Sequence, residues 1–369
     1  MMKLIFCTAP FYQEHGKTNY YSKYFINKNN YRQENIIMRG NKIMGFVWII
    51  LALCLLGFLM FKINFSSHAG PKGKLGMGGE NNLLLSTNGG NGPVFLPGSY
   101  KLVESKEFDA SEIENFDFNI TRETLWIQQV DEKKYTVELY CPQEWKPSVK
   151  AANGTLQIES KKGIAFVNAK EWKIIVKVPR NEELDNIDIT HTSGGNHLEG
   201  IKFDKIDMNC TSGSTHLNNC SGKKAEINSN SGSIHFADSD FELLEINSTS
   251  GSTHMDDSSA KRLNVQSTSG SLKIKGKYEA FSLHSTSGSV RMDNDVSPSD
   301  DCEIRAVSGS IYLNLPRQAR YNVNYDVGSG NYHNKITGTN GKRGSEIVNA
   351  GGPTIYLKAN SGSIHVNNN

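Results

Sequence analysis

The sequence predicts an all-β fold, a parallel β-solenoid or β-helix of about 19–21-residue rungs, preceded by one transmembrane helix. Three observations carry this. Ser-Gly pairs place glycine at 194, 213, 232, 251, 270, 288, 309, 330 and 362, in steps of 19, 19, 19, 19, 18, 21, 21 and 32 residues. Four identical steps mark an internal repeat. Apolar residues alternate with polar ones on both sides of each glycine, as Leu263 and Val265 before Gly270 and Leu272 and Ile274 after it. Residues 43–61 form nineteen consecutive residues without a charge, bracketed by Lys42 and Lys62.

In chain order, residues 1–42 carry Lys3, Lys17, Lys23, Lys28, Arg32, Arg39 and Lys42 against Glu14 and Glu34. This excess of positive charge predicts a basic cytoplasmic segment, although Met38 or Met44 would also serve as a start. The apolar stretch 43–61 is long enough to cross a bilayer as a helix. The alternative is a cleaved signal peptide, with Ser67-His68-Ala69 as its cleavage site. Residues 62–97 are rich in Gly, Ser and Asn and read as a linker. Residues 98–186 alternate, as in KYTVELY and WKIIVKV, and predict lead-in strands without a clear repeat.

Residues 187–369 hold the solenoid repeats. Period 2 on both sides of a glycine means two strands meeting at a bend, and Gly213, Gly232, Gly251, Gly270, Gly288, Gly309 and Gly362 are the expected structural turns. One unit cannot bury its apolar face alone, so successive units stack as parallel strands. Nine turns at roughly 4.8 Å per rung give a rod of about 43 Å. The serines before the glycines, among them Ser212, Ser231, Ser250 and Ser269, then form one vertical stack with a structural role. Residues 314–350 break the period and predict a lateral insertion or a distorted rung. The closing NSGSIHV resumes it.

Composition narrows the chemistry. The 369 residues include 40 basic and 38 acidic side chains, a net +2, so no nucleic-acid partner is expected. Six cysteines show no CxxC and no dense framework, and Cys210 and Cys302 fall in the apolar phase, where buried thiols belong. No GxGxxG follows a strand, and there is no HExxH, GxSxG elbow or EF-hand loop. The Gly338 to Arg343 segment is a turn. Paired aspartates such as Asp238/Asp240 and Asp256/Asp257 lie in the variable connections, where solvated Asp is expected.

One constellation stands out. His197, His216, His235 and His254 occupy the same place in four consecutive rungs, three residues past the glycine, and His365 repeats it. They are the candidate ligand surface, an outward column with imidazoles about 4.8 Å apart. A solvated repeat position, a ligand face and a metal site all fit this spacing. Without carboxylates behind the rings, no metal is assigned.

The apolar-Lys-Val-Pro segment Ile175-Val176-Lys177-Val178-Pro179, followed by repeated I-x-x-x-S-G-S-I-x-V rungs behind a membrane anchor, resembles the putative-adhesin family of bacterial envelope proteins. The resemblance covers roughly residues 98–369. It implies β-solenoid domains of mostly uncharacterised function, with no catalytic residues and no cofactor to carry over. The expectation is a non-catalytic, single-pass membrane protein with its C-terminal domain outside the cytoplasm, an adhesive or scaffolding surface for an envelope protein or glycan ligand. Two alternatives stand beside it: an envelope-stress or signalling accessory protein, and a polysaccharide-acting enzyme.

Overall fold

A computed structural model describes residues 101–161 and 172–369. The expected cytoplasmic segment 1–42, transmembrane helix 43–61 and linker 62–97 lie outside the described residues, and among those described no helix is long and apolar enough to cross a membrane. What is described is one all-β, solenoid-like sheet of stacked coils.

A central coil shows the plan. Strand Lys202–Ser212 leads to a corner at Gly213, then strand Thr215–Asn218, then a second corner at Asn219 before the next coil begins with Ser221–Ser231. Phe203, Ile206, Met208, Cys210, Thr215 and Leu217 are buried. The inward phase slips between Phe203 and Ile206, so the long strand lines two faces and the short strand a third. Each strand pairs in parallel with its counterpart one repeat on, as Met208 with Ile227 and Leu217 with Phe236. Inward side chains therefore stack on their own equivalents along the axis, which fills the interior with continuous apolar columns.

The period of 19 breaks where the coil geometry allows it. Between Met255/Ser258 and the next coil the register shifts, one residue is lost at the second corner, and Gly276 takes the place opposite Ser258. This accounts for the step of 18. The step of 21 from Gly288 to Gly309 comes from a loop between strands Val290–Asn294 and Cys302–Ser308.

Both ends of the stack invert the order of the chain. Strand Asn115–Ile120 pairs with both Glu183–His191 and Thr155–Glu159, and Thr124–Val130 with both Asn196–Glu199 and Lys173–Pro179. The second coil in sequence is thus the outermost in space. At the other end Thr354–Ser361 inserts between Cys302–Ser308 and Tyr321–Val327, and Ile364–Asn368 between Ile311–Leu315 and Tyr332–Asn334. The segment 314–350 is therefore a coil of its own, cornered at Ser329-Gly330, followed by a returning strand. Coils likewise reach back into residues 98–186, where the sequence showed no repeat because those coils carry no Ser-Gly-Ser; the inserted coil at the other end keeps it at Ser361-Gly362-Ser363.

Antiparallel strands cover these outermost coils. Lys134–Tyr140 lies on Lys173–Pro179, Ser148–Ala152 on Thr155–Glu159, and Arg343–Val348 on Tyr321–Val327. Such covers blunt a stack that would otherwise offer open strand edges for further pairing. Polar pins hold them. Glu346 accepts hydrogen bonds from Tyr332, from Asn334 Nδ2 at 2.6 Å and from Thr337 Oγ1 at 2.6 Å. At the opposite end, buried Glu123 accepts from Ser160 Oγ at 2.7 Å, and the Arg122 guanidinium lies 4.8 Å from the Trp145 ring centroid and 5.6 Å from that of Trp172.

Candidate functional site

The glycine corner sets the geometry of everything around it. Gly213, Gly232, Gly251, Gly270, Gly288, Gly309 and Gly362 all hold φ between +109° and +139°. They form one axial column, into which Gly330 also falls, on the far side of Gly362. A Cβ on Gly232 would sit 1.9 Å from the Gly213 carbonyl oxygen. Only a glycine lets neighbouring corners approach this closely. The Gly213 N–H donates to the Ser231 carbonyl at 3.1 Å and the Gly232 N–H to that of Ser250 at 3.0 Å, so each corner is bonded to the next. The serines stack in register, Ser212 on Ser231 on Ser250 on Ser269, with exposed side chains.

Fixed corners align the outward residues on either side into columns. Three residues past the glycine, His197, His216, His235 and His254 stack face to face with centroids 4.8, 4.7 and 5.8 Å apart. Trp126 extends the column beyond His197 at 4.1 Å, interplanar angle 12°. The sequence reading missed Trp126 because its coil lacks the glycine signature. In the other direction the column passes through Lys273 and Arg291 to Tyr312, His365 and His333, the last three again stacked at 5.0 and 5.3 Å. The histidines are half-buried rather than fully outward. Burial lowers the pKa of His197, and for His216 the neighbouring His197 and His235 add to it. Parallel rings keep their in-plane nitrogens from converging on one point. Among the described residues no three His, Cys, Asp or Glu side chains form a group able to hold a metal ion.

Before the glycine, a second column was not singled out from sequence. Thr190, Asn209, Asn228, Asn247, Gln266 and His284 fall in register over six successive coils. Asn228 Nδ2 donates to Asn209 Oδ1 at 3.1 Å, and Asn247 Nδ2 to Asn228 Oδ1 at 2.9 Å. Two residues on, Thr211, Asn230, Thr249, Thr268 and Thr286 form a parallel rail, and the two rails line a shallow groove of about 670 Å³. Its signal in the sequence is an Asn four residues before the glycine in three successive repeats, NCTSG from Asn209, NSNSG from Asn228 and NSTSG from Asn247. Two residues to the other side runs an acidic column of Asp188, Asp207, Glu226 and Glu245. Lys224 Nζ lies 3.1 Å from Glu226 and 2.8 Å from Glu245. Burial raises the Asp188 pKa, and Asp207 raises it further.

The remaining chemistry-bearing residues are engaged. Cys210 and Cys302 are buried; burial raises the Cys210 pKa and pushes that of Cys302 up to about 12, so both thiols stay protonated near neutrality. Cys210 belongs to a buried polar group in which Asn196 Nδ2 donates to its Sγ at 3.3 Å and to Thr215 Oγ1 at 3.4 Å, while His191 Nδ1 lies 2.6 Å from Asn196 Oδ1. Of the aspartates near the corners, Asp257 is ion-paired with Lys275 at 2.7 Å and Asp300 with Arg262 at 2.8 Å. Asp238 and Asp257 themselves make the second corner, with φ of +49°.

Among solved structures, a putative adhesin from Parabacteroides merdae is 13% identical, with 74% of this chain and 98% of that one covered, at a TM-score of 0.44. One from Parabacteroides distasonis is 14% identical over 75% of this chain and 100% of that one, at 0.42. A putative adhesin from Bacteroides fragilis is 15% identical over 73% and 97%, at 0.40. A search of curated proteins gives no match. The family described as Toastrack DUF4097 matches residues 113–304, more than half of the 369. By that match over the coils themselves, the chain belongs to the Toastrack DUF4097 family.

Proposed function

We propose that this is a non-catalytic, membrane-anchored envelope protein that displays its solenoid outside the cytoplasm as an adhesive or scaffolding surface. The observation that carries the reading is the alignment of outward side chains into axial columns, aromatic on one side of the glycine corner and amide and hydroxyl on the other. A rigid array with one chemistry per column suits contact with a repetitive partner. Catalysis asks for the opposite, a few unlike groups converging on one atom. Protonated thiols and ion-paired carboxylates fit the non-catalytic reading.

Protease added to intact cells carrying a C-terminally tagged full chain tests the placement. The expected result is loss of the tag while a cytoplasmic control survives and the membrane fraction keeps an N-terminal fragment. Full protection that persists after the outer permeability barrier is opened would overturn it.

A further inference from the structure

We propose that the groove between the amide and threonine rails binds a neutral, hydroxyl-rich polysaccharide lying along the solenoid axis. The inference rests on the surface-display reading and names its ligand class.

The amide rail is preorganised and its carbonyl oxygens are not saturated. An Asn side chain offers two N–H donors and two carbonyl lone pairs. Asn228 spends one donor on Asn209, the other on Glu226 and one lone pair on Asn247, so one carbonyl lone pair is left. The ladder fixes which way Asn209, Asn228 and Asn247 face, so their carbonyl oxygens recur in register beside the Thr249 and Thr268 hydroxyls, which donate as well as accept. A sugar hydroxyl both donates and accepts, which is what such a position can satisfy. The five steps of about 4.8 Å between six coils give a track of about 24 Å, facing a second rail of hydroxyls at Thr249 and Thr268. Weak contacts repeated along one chain add as avidity.

Other polymers fit less well. An extended peptide would need either an open strand edge or apolar side-chain pockets. The backbone of strands Ser221–Ser231 and Asp240–Ser250 is paired on both sides, and the groove lining holds no large apolar residue. The groove lining supplies no Lys or Arg to bind the charges of a nucleic acid or an acidic polysaccharide, and Lys224 is already held between Glu226 and Glu245.

The test is affinity electrophoresis of the detergent-solubilised full chain through gels containing dextran, mannan, xylan or a soluble β-1,3-glucan, with alginate as the polyanion. The expected result is retardation by at least one neutral polymer, insensitive to added salt. The Asn228→Ala/Asn247→Ala pair should weaken it roughly tenfold or more, the loss of two positions of a repeated array. The near-isosteric pair Thr249→Val/Thr268→Val should also weaken it, which guards against an amide variant that fails to fold. Lys223→Ala, paired with Asp204 on another face, should not change it. Retardation by alginate alone, by no polymer, or equally in wild type and both folded double variants would overturn the groove. If the tag is still shaved from cells in those cases, the display reading survives; a protected tag sinks that reading whatever the gels show.

Discussion

The two corners of each coil solve the same problem by different means. At the first, glycine holds φ beyond +100° while the carbonyl of the preceding corner occupies the space a Cβ would need, 1.7 Å away at Gly213 and 1.9 Å at Gly232. At the second, Asn219, Asp238 and Asp257 sit near φ +50°, a left-handed conformation that Asn and Asp adopt more readily than most residues. The first corner is constrained by its neighbour, whereas the second leaves room for a side chain at Asn219, Asp238 and Asp257 and is crowded by the preceding coil only at Gly276. A neighbour's constraint propagates, because changing one corner disturbs the stack on both sides. The second corner tolerates variation: it holds Gly200 in one coil, Asn or Asp in the next three, and has lost a residue before Gly276.

Gly232→Ala is the strongest way to break this comparison. It adds one carbon where no space exists and puts a side chain at unfavourable φ, a combined cost of about 4 kcal/mol. Ile246→Ala, inside the same coil stack, removes three carbons and leaves a cavity, at about 3 kcal/mol. Denaturant melts of both should therefore place the one-carbon addition at or above the three-carbon deletion. A glycine variant costing under about 1 kcal/mol would mean the stack slides apart cheaply and the neighbour constraint is weak.

The same contrast explains what the sequence revealed. The first corner tolerates no substitution, so its glycines kept their period and with it the solenoid, the inward alternation and the histidine column were legible. The second corner varied and went unread. The inverted coils were hidden for a topological reason: parallel pairing constrains which strands are neighbours in space, and Thr354–Ser361 pairs as well between two earlier coils as it would at the end. Trp126 joined the aromatic column only through that pairing. The asparagine ladder was legible in principle. Asn is common in loops, and only the register of Asn209, Asn228 and Asn247 turns it into a rail.

The histidine column gives a subtler probe of the glycine corner, since that corner sets the ring spacing. Burial lowers the pKa values of His197, His216 and His235, and like neighbours lower those of His216 and His235 further, with Asp256 opposing at His235. A folded pKa below the unfolded value near 6.5 means the unfolded chain takes up protons first as pH falls. Stability is full above that value and declines as pH drops through it. Melting temperatures from pH 8 to 5 should show this decline, and His216→Gln should flatten it. An unchanged slope in the variant would mean that His216 binds protons equally in the folded and unfolded chain.

Asp238→Gly should have the smallest effect, for a reason opposite to that of Gly232→Ala. Removing the side chain relieves the left-handed strain of a non-glycine residue, about 1 kcal/mol. It also frees the unfolded chain, which costs a comparable 0.5–1 kcal/mol or about that. The two nearly cancel, so the net change should stay within about 0.5 kcal/mol. A loss approaching that of Gly232→Ala would mean the aspartate is held by the adjacent coils as firmly as the glycine is. The backbone alone does not decide this, because Asp238 N–H donates to the Asp256 carbonyl at 3.2 Å, a bond between coils that glycine would keep. What separates the corners is therefore the space beside Cα, and the pair of substitutions measures that space from both directions.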